Sequence, residues 1–162
     1  MPHIDGRTGE IVIRIDPGLA FGAGTHPTTQ MCLRELERVV RPGMRVLDFG
    51  AGTAVLAVAA LKLGASFALA VDNDPIALAT AARVARRNGV ALSLSDSPRG
   101  EFDVVVANLP PEAQAGLDRY LAPGGVLISS GFTSLERPSG WSLLVLRTCA
   151  ATARESAGSR AG

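Results

Sequence analysis

The chain has 162 residues, 47% hydrophobic and 19% charged, and its 16 Lys and Arg against 15 Asp and Glu give a formal charge of +1. That length suits one domain with one continuous core, the composition excludes a disordered chain, and the even charge excludes the basic footprint of a dedicated nucleic-acid binder. The opening MPHIDGRTGE is too polar for a signal peptide, and the longest apolar run, AVLAVAALKLGA, holds a Lys and is about a third short of a membrane span, so a cytoplasmic protein with no membrane partner is expected.

In chain order, EIVIRID alternates Ile11, Ile13 and Ile15 with Val12 and Arg14, a strand with one buried face. PTTQMCLRELERVV switches to helical spacing, with Cys32, Leu33, Leu36, Val39 and Val40 on one face and Pro27 in the first turn. RPGM ends that helix. RVLDFG is then a strand with a glycine turn, TAVLAVAALKLG a helix stopped by Gly64, FALAVD a strand, and DPIALATAARVARRNG a helix from Pro75 to Gly89. ALSLS is a weak strand, and EFDVVVANL a strong one whose consecutive valines suit burial on both faces. PEAQAGLDRYLAPGG reads as a helix with a Pro-Gly-Gly stop, followed by strands VLISSGF and WSLLVLRTC. Such alternation predicts an α/β fold, a doubly wound parallel sheet with helices on both sides and right-handed crossovers. Cys32 and Cys149 are far apart, with no C-x-x-C or His partner, and are expected as reduced core thiols rather than a disulfide.

In this fold class ligands bind beyond the carboxyl ends of the strands, where the strand order reverses. The turn there reads VLDFGAGTAVLA, with Asp48, Gly50, Gly52 and Ala54 at two-residue steps. A dinucleotide fingerprint would put glycine at Val55, and Asp48 would repel a pyrophosphate. The pattern better suits an adenosyl ligand carrying a sulfonium and an amino acid: the glycines let main chain approach it, and Asp48 orients the turn or meets the ligand's ammonium through water. The next strand ends in Asp72, whose carboxylate can accept from both hydroxyls of a ribose, leaving Asp74 to cap the helix at Pro75. Asp96 after the third sheet strand can bond an adenine amino group, or form a turn.

Together these residues resemble the class I S-adenosylmethionine-dependent methyltransferases, most closely the PrmA type, which methylates amines of the ribosomal protein L-eleven. The resemblance rests on DPGLAFGAGTHPTT, VLDFGAGTAVLAVAALKLGA, VDNDPIALATAARVARRNGV, VVVANL and LAPGGVLISSG, spanning about Ile13 to Gly131. It implies a Rossmann-like methyltransferase fold with S-adenosyl-L-methionine as cofactor and S-adenosyl-L-homocysteine as product. It also implies that the opening loop closes over the methionine end of the cofactor, with Phe21, Gly22, Gly24, Thr25 and His26 around it. The helix start at Pro27 adds a positive dipole end for the cofactor carboxylate. For His26, a helix cap or packed surface histidine is the alternative; metal ligation is not expected, since His3 is the only other histidine.

Within the resemblance, Asn108 ends the fourth sheet strand beside the reactive methyl. Its side-chain carbonyl, with the backbone carbonyl of Leu109, can accept hydrogen bonds from a substrate amine and orient the nitrogen lone pair. The alternative is a structural strand end. Asn-Leu-Pro-Pro differs from the Asn-Pro-Pro-aromatic motif of nucleic-acid and glutamine amine methyltransferases, and Pro110 departs from the two aliphatic residues of the PrmA type. No general base is evident, and a desolvated amine can lose its proton to water.

Few residues precede Glu10, so the substrate-gripping N-terminal module of the PrmA type is expected to be absent, with residues 1–17 as a lead-in, 18–149 as the methyltransferase domain and 150–162 as a frayed tail. Between Gly131 and Trp141 stand only the nine residues FTSLERPSG, too few for a helix and a strand, so WSLLVLRTC is expected to pair antiparallel with VLISSGF and shorten the sheet at that end. That leaves an open edge that a homodimer could cover. The acceptor is expected to be an amine on a protein, peptide or small molecule. A non-catalytic S-adenosylmethionine-binding domain is the alternative, and a dinucleotide binder is opposed by Val55.

Overall fold

The computed structural model describes residues 3–6, 9–16, 24–132 and 141–147. Strands β1 (His3–Gly6) and β2 (Gly9–Val12) form an antiparallel ribbon of their own. Six strands make the main sheet: β3 (Arg45–Phe49), β4 (Phe67–Val71), β5 (Ser93–Ser95), β6 (Phe102–Asn108), β7 (Leu121–Phe132) and β8 (Trp141–Arg147), in the order β5-β4-β3-β6-β7-β8. The first five run parallel, and β8 is antiparallel to β7, with Phe132 opposite Trp141. The chain therefore has the mostly parallel α/β sheet that its alternating pattern predicts, including the direct β7–β8 pairing. The expected tail lies outside the described residues, as does Cys149.

Helices α1 (Pro27–Val39) and α3 (Pro75–Arg87) start where their sequences favour it, whereas α2 (Val55–Lys62) follows a left-handed Ala54 with no side-chain cap. His26 and Asp74 cap α1 and α3 ahead of Pro27 and Pro75, residues whose missing N–H costs nothing at a helix start. α2 is apolar all round because Val55 to Ala60 are all buried. All three pack on the sheet face that carries Val46, Ala68, Ala70, Val104, Val106, Val126 and Ile128.

The other face departs from expectation. It carries Leu47, Leu69, Val71, Val105, Ala107 and Leu127, and is met by Leu117 and Tyr120, where the sequence pattern suggests a helix. Instead, 111–113 and 117–120 form two short 3₁₀ turns. Gly116 between them is left-handed, and a single residue there cannot continue an α-helix. The Pro-Gly-Gly stop is absorbed into β7 as an irregularity: Phe102 pairs with Leu121, but Val104 pairs with Val126. At that step a Cβ on Gly125 would stand 2.8 Å from the Ala122 carbonyl oxygen, so only glycine fits.

The EIVIRID stretch also differs in detail. β2 stops at Val12, yet Ile13 is buried and Ile11 and Ile15 pack against the same core. Asn88, at the end of α3, takes over from the ladder: its Oδ1 accepts from Arg14 N at 2.7 Å, and its Nδ2 donates to Arg14 O at 2.8 Å. No helix among the described residues is long and apolar enough to cross a membrane.

Candidate active site

The crossover β3–α2–β4 runs to one side of β3, and β6 lies on the other. This makes the carboxyl ends of β3 and β6 the switch point of the sheet, where neighbouring loops diverge and leave a crevice. Three predicted positions converge there by register: Asp48 stands opposite Val106, two residues before Asn108, and opposite Ala70, two residues before Asp72.

The glycine turn is fastened to β4 by its own main chain. Gly50 N and Ala51 N both donate to Val71 O, at 2.8 and 2.9 Å. Gly50 has φ +72°, and a Cβ on it would lie 2.5 Å from Leu109 Cδ1, so this glycine is required both by its torsion and by the side chain beyond β6. A Cβ on Gly52 would meet nothing within 4 Å, which marks that side of the turn as open.

Asp72 ties the floor of the crevice together. Its Oδ2 accepts from Gly52 N and its Oδ1 from Asp74 N, both at 2.9 Å. A carboxylate oxygen has two lone pairs, so each keeps one acceptor position after these bonds. Asp74 caps α3, its Oδ1 accepting from Ile76 N at 2.9 Å, as its place before Pro75 predicts. Asp96 is exposed after β5, and its Oδ1 accepts from Ser97 Oγ at 3.2 Å.

Asp48 is 2% exposed, and its Oδ2 accepts from Ala57 N at 3.1 Å. It thus satisfies one of the N–H groups that α2 leaves open at its start, where the cap residue Ala54 offers no side chain. Burial pushes its carboxyl up to about 7, against the pull of the Ala57 bond, and neighbouring Asp72 adds to the rise.

Above the crevice, His26 accepts from Thr28 N at 3.3 Å through Nδ1, which also lies 2.7 Å from Thr28 Oγ1. This is the capping alternative for His26. Thr25 is exposed, and Gly24 O accepts from the Gln30 side chain. Phe21 and Gly22 lie outside the described residues. Among the described residues, no three His, Cys, Asp or Glu side chains gather as a metal site.

Asn108 ends β6 next to β3, and its amide is engaged at both ends. Nδ2 donates to Thr29 Oγ1 at 3.1 Å, and Oδ1 accepts from Ser130 Oγ at 3.0 Å. Leu109 N donates to Ser130 O at 3.2 Å. The Leu109 carbonyl, expected to face a substrate amine, accepts from Gln114 Nε2, which also donates to Ser130 O at 3.0 Å. Thr29 and Ser130 lie inside the stretches DPGLAFGAGTHPTT and LAPGGVLISSG without a role read for either, and Gln114 lies in none of them. The one sequence signal for them is a polar pair, Ser129-Ser130, ending an otherwise apolar strand.

Comparison with known proteins covers the same stretch of the chain. The family model described as Ribosomal protein L11 methyltransferase (PrmA) matches residues 2–137. A ribosomal protein L11 methyltransferase of Pelotomaculum thermopropionicum is 51% identical over 138 residues, 76% of this chain and 44% of the relative. That of Xylella fastidiosa strain 9a5c is 50% identical over 133 residues, 74% of this chain and 44% of the relative. The chain thus spans under half the length of these curated relatives. A crystal structure of a ribosomal protein L11 methylase from Lactobacillus delbrueckii subsp. bulgaricus is similar with a TM-score of 0.67 and 34% identity, over 75% of this chain and 66% of that one. A 16S rRNA methyltransferase of T. thermophilus reaches a TM-score of 0.71 at 18% identity over 90% of this chain and 49% of that one, a likeness of fold alone.

Proposed function

The chain belongs to the ribosomal protein L11 methyltransferase (PrmA) family, and from that premise we propose that it binds S-adenosylmethionine and N-methylates an amine-bearing protein. The observation that carries the reading is Asp72. Its two oxygens are held by Gly52 N and Asp74 N, and each keeps a lone pair for one of two adjacent ribose hydroxyls. The rest of the floor fits the same ligand. Gly52 leaves its side of the turn open to main-chain approach, and buried Asp48 braces the turn through Ala57 N. In this reading Gly24, Thr25 and the start of α1 meet the methionine end, where a helix N-terminus suits a carboxylate. Asp96 follows β5 on the side where an adenine would lie.

When bound, S-adenosylmethionine supplies an electrophilic methyl carbon on a sulfonium. What the chain adds is position and dryness. Asn108 Oδ1 has one lone pair left after Ser130, so it can accept an N–H of the acceptor amine and turn the nitrogen lone pair inward. A desolvated ammonium is disfavoured, and the amine sheds its proton to water. Orientation of this kind accounts for as much as roughly 7–11 kcal/mol in well-aligned reactions.

The names of the relatives point to ribosomal protein L11 as the acceptor, with a cytoplasmic location accompanying it. β8 ends the sheet order, and a homodimer through that edge is the assembly this reading favours. The test is calorimetric titration with S-adenosylmethionine and with NAD, followed by transfer of a tritiated methyl group to purified ribosomal protein L11. Saturable binding of the first ligand alone, with label on the protein, is expected. NAD binding in its place would sink the reading, and binding without transfer to any amine would leave a non-catalytic domain.

A further inference from the structure

Asn108 does not stand alone in the crevice wall. Behind it, a hydrogen-bonded chain runs into the core across three elements. Cys32 of α1 is fully buried, with its Sγ 3.0 Å from Ser130 Oγ. Ser130 of β7 is 2% exposed and donates to Asn108 Oδ1, and Asn108 donates onward to Thr29 of α1, which is 4% exposed. A hydroxyl has one proton. With Ser130 giving its proton to Asn108, the Cys32 thiol is the donor to Ser130. Burial keeps that thiol protonated by pushing it up to about 11, more than the Ser130 bond lowers it.

The direction of the chain matters because an asparagine amide can sit two ways round with nearly the same shape. With the opposite flip, Nδ2 would face the Ser130 hydroxyl and the oxygen would face Thr29. That arrangement would leave the Ser130 proton only the Cys32 sulfur, a weak acceptor, whereas the observed one gives it an amide carbonyl and lets the thiol donate to Ser130. Ser130 also holds the next residue, since its carbonyl accepts from Leu109 N and from Gln114 Nε2. One buried serine therefore fixes both the side chain of Asn108 and the main chain of Leu109.

We infer that Ser130 is a positioning residue for amine methylation, its hydroxyl directed by the Cys32 thiol so that Asn108 presents its carbonyl oxygen and not its NH₂ to the acceptor nitrogen. This rests on the methyltransferase reading for its consequence, but not for its geometry. An Asn108 held the wrong way would put N–H donors against the acceptor's N–H groups. Neither Ser130 nor Cys32 touches the acceptor; both act through Asn108.

The experiment compares Ser130→Ala, Cys32→Ala and Cys32→Ser with the wild-type chain, by two readouts. The first is the ¹⁵N side-chain amide pair of Asn108 in the ligand-free protein, assigned by its loss in Asn108→Ala. The second is kcat for methyl transfer to ribosomal protein L11, alongside the Kd for S-adenosylmethionine. Losing one buried hydrogen bond corresponds to about a tenfold effect. Ser130→Ala is thus expected to shift and broaden the Asn108 pair and lower kcat about tenfold, with Kd within about twofold of wild type. Cys32→Ala is expected to lower kcat about threefold, and Cys32→Ser, which keeps a donor, to restore it. Adding Ser130→Ala to Asn108→Ala should cost nothing further. An Asn108 pair unmoved in Ser130→Ala overturns the inference, as does an unchanged kcat. If Ser130→Ala does not fold, the Cys32 pair decides alone by the same criteria. Wild-type protein that binds no S-adenosylmethionine contradicts the methyltransferase reading instead, and the amide spectrum still judges the geometry.

Discussion

On the β4 side of the crevice the main chain does the holding, and on the β6 side the side chains do. Gly50 N, Ala51 N, Gly52 N and Asp74 N all donate into the β3–β4 floor, to Val71 O or to Asp72. The β6 wall is set instead by Thr29, Cys32, Gln114 and Ser130, drawn from α1, β7 and the segment between β6 and β7. The difference suits two tasks. A ligand of fixed shape is met by a floor that uses short-range turns and hardly depends on distant residues. An acceptor that must be aimed is met by an amide whose orientation is decided across the core.

If the floor is a ribose site, the largest effect belongs to Asp72→Ala. It removes two charge-assisted acceptors and frees the glycine turn, so the Kd for S-adenosylmethionine should rise about a thousandfold by calorimetry. The Asn108 amide spectrum should stay as it was. A matching disturbance of both would mean that the two sides are not separate.

Asp48 gives the next effect, and it sharpens the electrostatic side of the comparison. Its pKa rises from 3.8 to about 7 in the fold. An acid raised in this way binds more protons folded than unfolded between those values, so stability falls as pH climbs through that window. In Asp48→Asn the fall should be largely absent. The variant and the wild type should match near pH 4 and differ above pH 7 by on the order of 3 kcal/mol in the variant's favour, read from urea unfolding at each pH. Equal slopes through the window would show that Asp48 is ionised in the fold at low pH.

A smaller effect is expected at the seam between the two sides. Gly50→Ala forces a left-handed alanine against Leu109, which should cost about 2 kcal/mol of stability and weaken cofactor binding about tenfold. Leu109→Ala added to it should recover part of the loss, since it relieves the contact but not the torsion. No recovery would place the whole cost in the backbone.

The floor was legible because its parts are local. Asp48, Gly50 and Gly52 fall within one turn, and Asp72 and Asp74 within another, so motif spacing brings them to one place once the parallel sheet is inferred. Asp74 as cap and Asp72 as acceptor follow from that spacing and from Pro75. The β6 wall was legible only at Asn108. Ser130 lies 22 positions from Asn108, and Cys32 98 from Ser130, and neither separation leaves a pattern in the sequence. Cys32 satisfied the helical apolar spacing of α1 so well that its thiol looked like packing alone. The helix expected over PEAQAGLDRY failed for a similar reason. Its composition favours a helix, but Gly116 turns left-handed and Gln114 spends its amide on Leu109 and Ser130. The β1–β2 ribbon was hidden by the polar run that carries its first strand.

The most direct test of separate binding and aiming is one titration and one transfer assay on Asn108→Ala. The account predicts a Kd for S-adenosylmethionine within about twofold of wild type, and methyl transfer to the ribosomal protein about a hundredfold slower. Transfer at the wild-type rate, or a loss of transfer explained wholly by lost cofactor binding, would contradict it.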